Sequence, residues 1–142
     1  MFVTGDSLVH SAGDLALASQ CEYALLRTLD ASLGRIDVES VDDAMFARLA
    51  RLGSDHEARE LLRLKRLHPD GVAMIPKPEK RIPSELAAAA AATIAAAAER
   101  VPVIYQGTFF DGQFLGFSDF LVLDPVTDSY DCLLYTSDAA DE

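Results

Sequence analysis

The sequence predicts an α/β fold in which helices pack on a small sheet that contains a β-hairpin. Helical periodicity fills the amino-terminal part of the chain, and an Ala-rich segment follows it. From residue 103 onward the pattern changes to β-forming residues on either side of an Asp-Gly pair. Helices followed by a meander also fit the α+β class, so the two classes stay open. A chain of 142 residues is within the range of one domain.

The first predicted helix spans about 11–29. Ser11 and Asp14 have the spacing of a capping box, with Asp in place of the usual Glu. An apolar stripe at helical spacing then follows, formed by Leu15, Ala18, Cys21, Leu25 and Leu29. Gly34 breaks this pattern and separates the helix from the next element.

A longer helix is predicted over 41–67. Asp42 and Asp43 place acidic residues in its first turn, where the helix dipole favours negative charge. Its apolar stripe consists of Met45, Leu49, Leu52 and His56. The turn residues 68–71 end this helix.

A short strand at 72–75 and a third helix at 84–100 come next. Pro76, Pro78 and Pro83 prevent regular structure between them. Ten of the twelve residues from 87 to 98 are alanine, which gives high helix propensity and a slim helix that can pack closely.

A β-hairpin is predicted across Asp111 and Gly112. Its first arm begins at Val103, and its second arm runs from Phe114 to Leu123. A loop follows, and a third strand begins at about Tyr130.

The composition excludes several classes of protein. Half of the residues are apolar and a quarter are charged, which is typical of a soluble globular protein. No apolar run reaches the roughly 20 residues that cross a bilayer, and no secretory signal precedes the first helix. Two cysteines make no disulfide framework, so we expect a cytoplasmic location without a membrane partner. The formal charge of −11 argues against a broad basic surface for nucleic acid.

Residues 132–142 resemble the translated read-through of a sequencing adapter. We therefore expect two regions, a natural sequence over 1–131 and an artefactual tail over 132–142. If so, the tail contributes three acidic residues, and Cys21 is the single natural cysteine. A natural acidic carboxyl terminus is the alternative.

His56 and Asp119 are the main candidates for metal ligands. His56 follows Gly53 on the long helix, and a histidine in an apolar stripe is either a ligand or a hydrogen-bonded core residue. Asp119 lies in an otherwise apolar strand, where burial of an unpaired charge is costly and a metal ion offsets that cost. The alternative is an aspartate that faces solvent. Carboxylate ligands suit Mg²⁺ or Mn²⁺, and an imidazole favours Mn²⁺.

The order of motifs resembles the RecB-like nucleases of the PD-(D/E)xK superfamily over residues 5–131. The motifs are a Cys in the first helix, Gly-x-x-His-Glu, an Ala-rich helix, Ile-Tyr-Gln-Gly and Gly-Phe-Ser-Asp-Phe-Leu-Val. The resemblance implies an incomplete nuclease core in which His56 and Asp119 are catalytic and bind Mg²⁺ or Mn²⁺. It also implies hydrolysis of DNA phosphodiesters in DNA repair or recombination, with a fused or associated helicase. The next strand would carry an acid-x-Lys motif, whose acid binds the metal and whose Lys activates water.

That motif is missing from this sequence. Neither Asp131 nor Asp138 has Lys two residues later. We therefore predict that the chain as given is an inactive fragment of a nuclease. The alternatives are a non-catalytic relative that binds nucleic acid and an acidic helical protein-interaction domain.

Several further residues have two interpretations each. The resemblance makes Cys21 a candidate ligand of an iron–sulfur cluster in the full-length parent, whereas its helical pattern suggests a buried hydrophobe. Gln106 either contacts metal-bound water or is a satisfied core amide. Glu57 and Glu60 lie near His56, and Glu60 either orients the imidazole or forms a salt bridge with Arg63 or Arg59.

Two groups of basic residues are candidate DNA contacts. Most such groups are merely solvated surface, and the nuclease interpretation is what makes them phosphate contacts. They are Arg59, Arg63, Lys65 and Arg66 on the long helix, and Lys77, Lys80 and Arg81 in the Pro-rich loop.

Overall fold

The computed structural model describes residues 1–5, 7–37, 44–78 and 81–133, and it has the predicted α/β class. Within these ranges the helices are α1 (Ala12–Gln20), α2 (Glu22–Ser32), α3 (Ala44–Leu67) and α4 (Pro83–Ala98). The strands are β1 (Phe2–Thr4), β2 (Ser7–Ser11), β3 (Val72–Met74), β4 (Val103–Phe110), β5 (Phe114–Asp124) and β6 (Ser129–Leu133).

The sheet has the strand order β1-β2-β5-β4-β3, and β6 also pairs with β5. The β2–β5 and β3–β4 pairs are parallel, and the other pairs are antiparallel. β4 covers one edge of β5 from Leu115 to Val122. On the opposite edge, β2 pairs with residues 114 and 115, and β6 pairs with 120–124. Within the described part of the chain, residues 116–119 therefore have a strand neighbour on one edge alone.

The predicted hairpin and its neighbours are confirmed. The Asp111 carboxylate accepts hydrogen bonds from the backbone N–H groups of Gln113 (2.8 Å) and Phe114 (2.7 Å), and Gly112 takes a φ of +95°, which glycine tolerates best. The third strand begins one residue before the predicted Tyr130. Cys132 belongs to β6, while most of the predicted tail, 134–142, lies outside the described residues.

The predicted helix at 11–29 is wrong, because the chain forms two helices there. Cys21 between them is extended, with φ −158° and ψ 103°, and its side chain is exposed. Its interpretation as a buried hydrophobe is therefore also wrong. The capping box is confirmed, since Asp14 accepts from the backbone N–H of Ser11 at 2.7 Å and the Ser11 hydroxyl accepts from that of Asp14.

The buried side of α3 differs from the predicted apolar stripe. Met45, Leu49, Leu52 and His56 are all exposed, whereas Glu57 and Leu64 are buried. Glu57 and Leu64 are two turns apart and share one side of the helix. The predicted residues 41–43 lie outside the described ranges.

α3 and α4 cover opposite faces of the β4–β5 hairpin. Val103 packs with Leu64 of α3, whereas the next residue, Ile104, packs with Ala89 and Ala96 of α4. Successive strand residues point to opposite faces, so each helix covers one face. The Ala-rich helix packs closely as predicted, and Arg100, with φ +57°, follows its end.

None of the helices within the described ranges combines the length and apolarity that a membrane crossing requires.

Candidate functional site

A polar groove of about 460 Å³ lies between α3 and β4. We call it the α3 groove. It is lined by Ser54, Glu57, Ala58, Ile75, Lys77, Tyr105 and Gln106.

Glu57 is the buried carboxylate of this groove. Leu64, two turns further along α3, packs with Val103 and Phe120 and so fixes which side of the helix meets the sheet. The Glu57 carboxylate accepts a hydrogen bond from the Gln106 amide nitrogen. Tyr105 lines the same groove. None of the ion pairs formed among the described residues involves Glu57.

Gln106 has an unusual backbone for a strand residue. Its φ is +58°, in the left-handed region that costs a non-glycine residue on the order of 1 kcal/mol or more. The register nevertheless continues through it, because Tyr105 pairs with Phe120 and Gly107 pairs with Ser118. Gln106 therefore lies opposite Asp119 on the neighbouring strand.

The orientation of the Gln106 amide follows from its contact with Glu57. An ionised carboxylate can only accept hydrogen bonds, so the amide nitrogen faces it and the amide oxygen faces elsewhere. That oxygen, Oε1, is buried and has no hydrogen-bond partner among the described residues. The interpretation of Gln106 as a fully hydrogen-bonded core amide is therefore wrong, because Oε1 is not satisfied by the described residues.

Asp119 is buried in β5, so the alternative of a solvent-facing aspartate is wrong. Burial raises the pKa of Tyr105, as does the adjacent Glu57 carboxylate, and the negative charge of Asp119 raises it further. Burial and the charge of Asp119 also raise the pKa of the Cys132 thiol on β6. The Asp119 carboxylate is thus close enough to act electrostatically on the groove and on the third strand.

His56 does not join the groove. Its side chain is exposed, so the core-histidine interpretation is wrong. Glu60 forms the expected ion pair with Arg63, with 2.8 Å between Arg63 Nε and Glu60 Oε2. That hydrogen bond lowers the pKa of Glu60, although burial opposes the shift, and the charges of Arg63 and His56 lower it further.

The basic candidates take different positions. Lys77 lines the groove, and its Nζ lies 5.2 Å from the centre of the Phe117 ring. Arg81 lies over the Phe2 ring at 4.9 Å. Lys80 lies outside the described residues. The candidates on α3 are all exposed, and they are Arg59, Arg63, Lys65 and Arg66.

The oxygen donors at the groove fit a hard divalent cation. Carboxylates and amide oxygens are ligands that Mg²⁺ and Mn²⁺ accept. Glu57 and Gln106 line the groove, and Asp119 is buried on the neighbouring strand opposite Gln106. Among the described residues, no three His, Cys, Asp or Glu side chains come together to hold a metal. The donors from this part of the chain therefore make an incomplete coordination shell.

No protein-family model, no curated protein and no solved structure matches this chain.

Tyr105 is an aromatic groove residue that the sequence did not identify as a site candidate. It belongs to the Ile-Tyr-Gln-Gly motif, but a tyrosine in a β-rich segment is most simply explained by packing. Its position directly before Gln106, a polar residue in an apolar strand, was the available signal.

Proposed function

We propose that this chain is the amino-terminal part of a RecB-like, metal-dependent nuclease that hydrolyses DNA phosphodiesters in the cytoplasm. The observation that carries the proposal is the buried Asp119 carboxylate, opposite Gln106 and next to a groove that contains Glu57. Buried titratable groups beside a polar groove are common at binding and catalytic sites. The parent protein would have a fused or associated helicase.

In this proposal the residues of the chain have distinct roles. Asp119 and one residue of α3, either His56 or Glu57, hold Mg²⁺ or Mn²⁺, and Gln106 and Tyr105 orient the groove. The bound cation lowers the pKa of a water molecule and stabilises charge on the scissile phosphate. Lys77 lines the groove and is the nearest of the basic candidates to a phosphate placed there.

In this proposal the fragment is inactive because it lacks the acid-x-Lys motif, and the pairing of the third strand supports a place for that motif. β5 and β6 pair Phe120 with Leu133. A natural strand that continues this register would bring its next residue opposite Asp119, with Cβ atoms about 5 Å apart. An acid at that position would reach the same metal as Asp119. The acid-x-Lys motif implied by the resemblance therefore belongs on the continuation of β6.

The test compares two chains. One is the 142-residue chain, and the other carries the natural third strand of the parent with its acid-x-Lys motif. With Mn²⁺, we expect the longer chain to cut labelled single- or double-stranded DNA, and Asp119→Ala to abolish cutting. DNA binding without any cutting by the longer chain would favour the non-catalytic relative. Asp119-dependent cutting by the 142-residue chain would contradict the proposed incompleteness.

An acidic protein-interaction domain is the second candidate function. The observation that favours it is the exposed apolar side of α3, where Met45 is 67% exposed and Leu49 and Leu52 are exposed as well. This candidate needs no metal. If Mn²⁺ does not bind to the chain with the restored third strand, the interaction domain is favoured.

A further inference from the structure

We propose that Glu57, and not His56, is the metal ligand supplied by α3, and that Gln106 Oε1 faces the same ion or its bound water. This inference rests on the proposed function and specifies its metal site. It differs from what the resemblance implies, which is a histidine ligand at His56.

The side chains of His56 and Glu57 point in different directions. Neighbouring helix residues point about 100° apart, and here Glu57 is buried towards the sheet while His56 is exposed. Leu64 is 3% exposed and packs against Val103 and Phe120, and it shares its side of the helix with Glu57. A rotation of α3 that brought His56 into the groove would remove Leu64 from this apolar cluster.

The buried carboxylates of this fold differ in charge balance. Asp14 is 6% exposed, and its carboxylate contacts the ammonium group of Met1 at 2.8 Å. Glu57 is 9% exposed, and it accepts a hydrogen bond from the neutral amide of Gln106. A buried carboxylate is stable when a cation compensates its charge. At Glu57 that cation would be a divalent metal ion.

The amide of Gln106 has one satisfied end and one unsatisfied end. Its nitrogen donates to Glu57, and its buried oxygen Oε1 lacks a partner among the described residues. A buried acceptor without a donor is destabilising, and a cation or its water would satisfy it. The left-handed backbone of Gln106 adds strain at the same point, as is typical of functional sites.

An all-oxygen site has a consequence for metal preference. Glu57, Asp119 and Gln106 Oε1 are hard ligands, which suit Mg²⁺ as well as Mn²⁺. The preference for Mn²⁺ that an imidazole would add is absent. Mg²⁺ should therefore displace Mn²⁺ from this site.

Paramagnetic broadening of NMR signals by Mn²⁺ tests the inference on the 142-residue chain, because it locates even weakly bound Mn²⁺. In the wild type we expect broadening of the amide signals of residues 57, 105–107 and 119, and Mg²⁺ should reverse it. Glu57→Gln keeps the side-chain shape and one acceptor oxygen. It should require at least about tenfold more Mn²⁺ for the same broadening, equivalent to about 1.4 kcal/mol. The matched control, His56→Ala, should titrate like the wild type.

Gln106→Leu gives a second test that leaves the Glu57 charge in place, and it should also weaken Mn²⁺ binding by about tenfold. Spectra without metal show whether each variant keeps the fold. Loss of broadening in His56→Ala with wild-type behaviour of Glu57→Gln would overturn the inference and leave the proposed nuclease standing. Broadening that depends on neither Glu57, His56 nor Asp119 would overturn both.

Discussion

The two faces of the β4–β5 hairpin are covered by helices of opposite character. On the α4 face, small residues bring the helix close to the sheet, and Ile104 is completely buried against Ala89 and Ala96. On the α3 face, apolar packing is confined to the part around Leu64, and the α3 groove with Glu57 lies beyond it. One sheet thus has a face built for packing and a face that keeps buried polar groups.

The polar groups on the two faces also differ in kind. Thr93 on α4 is a neutral residue whose hydroxyl is fully used, since it donates to Ala89 O at 3.0 Å and accepts from the N–H of Thr108 at 2.9 Å. On the α3 face, Glu57 is a carboxylate. The Gln106 amide nitrogen donates a hydrogen bond to it, whereas the amide oxygen has no partner among the described residues. Thr108 Oγ1 and Ser118 Oγ are also buried without a hydrogen-bond partner among the described residues. What distinguishes the α3 face is therefore its buried carboxylate.

Ile104→Ala should give the largest effect, because it opens a cavity in the apolar α4 face. Removal of a fully buried isoleucine side chain costs about 2–5 kcal/mol. Urea unfolding of the metal-free chain measures this loss. Ile94→Ala is the matched control. Ile94 lies on α4 but is 68% exposed, so its truncation should change stability by less than about 0.5 kcal/mol. Equal losses in both variants would mean that the α4 face is not the core.

Thr93→Val should come next, with a loss of about 1–3 kcal/mol. Valine has nearly the same shape but cannot accept the hydrogen bond from the buried N–H of Thr108. Thr93→Ser retains the hydroxyl and should be less destabilising. The urea midpoints of the wild type, Thr93→Val and Thr93→Ser measure these losses. An unchanged midpoint for Thr93→Val would show that this hydrogen bond does not contribute to stability.

Asp14→Asn tests a buried carboxylate whose charge is compensated, outside both faces. Burial alone would raise the pKa of Asp14, but hydrogen bonds from the Met1 ammonium and Ser11 outweigh it and lower the pKa below 3.8. The stabilisation is therefore present above pH 3.8 and is lost as the pH falls through the lowered pKa. At pH 7 the variant should lose about 1–2 kcal/mol of stability.

The pH dependence separates this effect from simple misfolding of Asp14→Asn. The gap between wild type and variant should be constant above pH 3.8 and shrink as the pH falls through the lowered pKa of Asp14, because the wild-type carboxyl then also becomes neutral. Urea unfolding above and below pH 3.8 would show it. A gap that does not shrink at the lower pH would rule out the charge of Asp14 as its source.

Glu57→Gln should have the smallest effect on the stability of the metal-free chain, and we expect no destabilisation. The change removes an uncompensated buried charge while one acceptor oxygen remains for Gln106. We expect the stability to stay equal or to rise by less than about 1 kcal/mol. A loss as large as that of Thr93→Val, measured in the same urea experiment with chelator present, would mean that Glu57 is a structural residue.

The sequence predicted the α4 face better than any other region. Alanine propensity, the prolines and the Asp-Gly turn are local signals, and the hairpin with α4 follows them closely. The β1–β2 pair and the break at Cys21 escaped prediction. Short strands of 3 and 5 residues give little periodicity, and no Gly or Pro next to Cys21 marks the helix break.

The α3 groove could be predicted in part. Asp119 and Gln106 stand out as polar residues in apolar strands, and both are indeed buried. The residue of α3 that faces the groove could not be identified from polar residues in an apolar pattern. The apolar stripe of α3 pointed to His56, but the side that meets the sheet is set by the contact of Leu64 with Val103 and Phe120. That contact joins residues far apart in sequence, so helix periodicity alone does not reveal it.

Unfolding of the wild type and of Glu57→Gln in urea, with and without Mn²⁺, tests the central claim most directly. A metal that binds the folded chain alone raises its stability, by about 2.7 kcal/mol at 100 times the dissociation constant. We predict a higher urea midpoint with Mn²⁺ for the wild type and little or no shift for Glu57→Gln. Equal shifts in the two chains, or none in the wild type, would contradict the account of the α3 groove as a metal site.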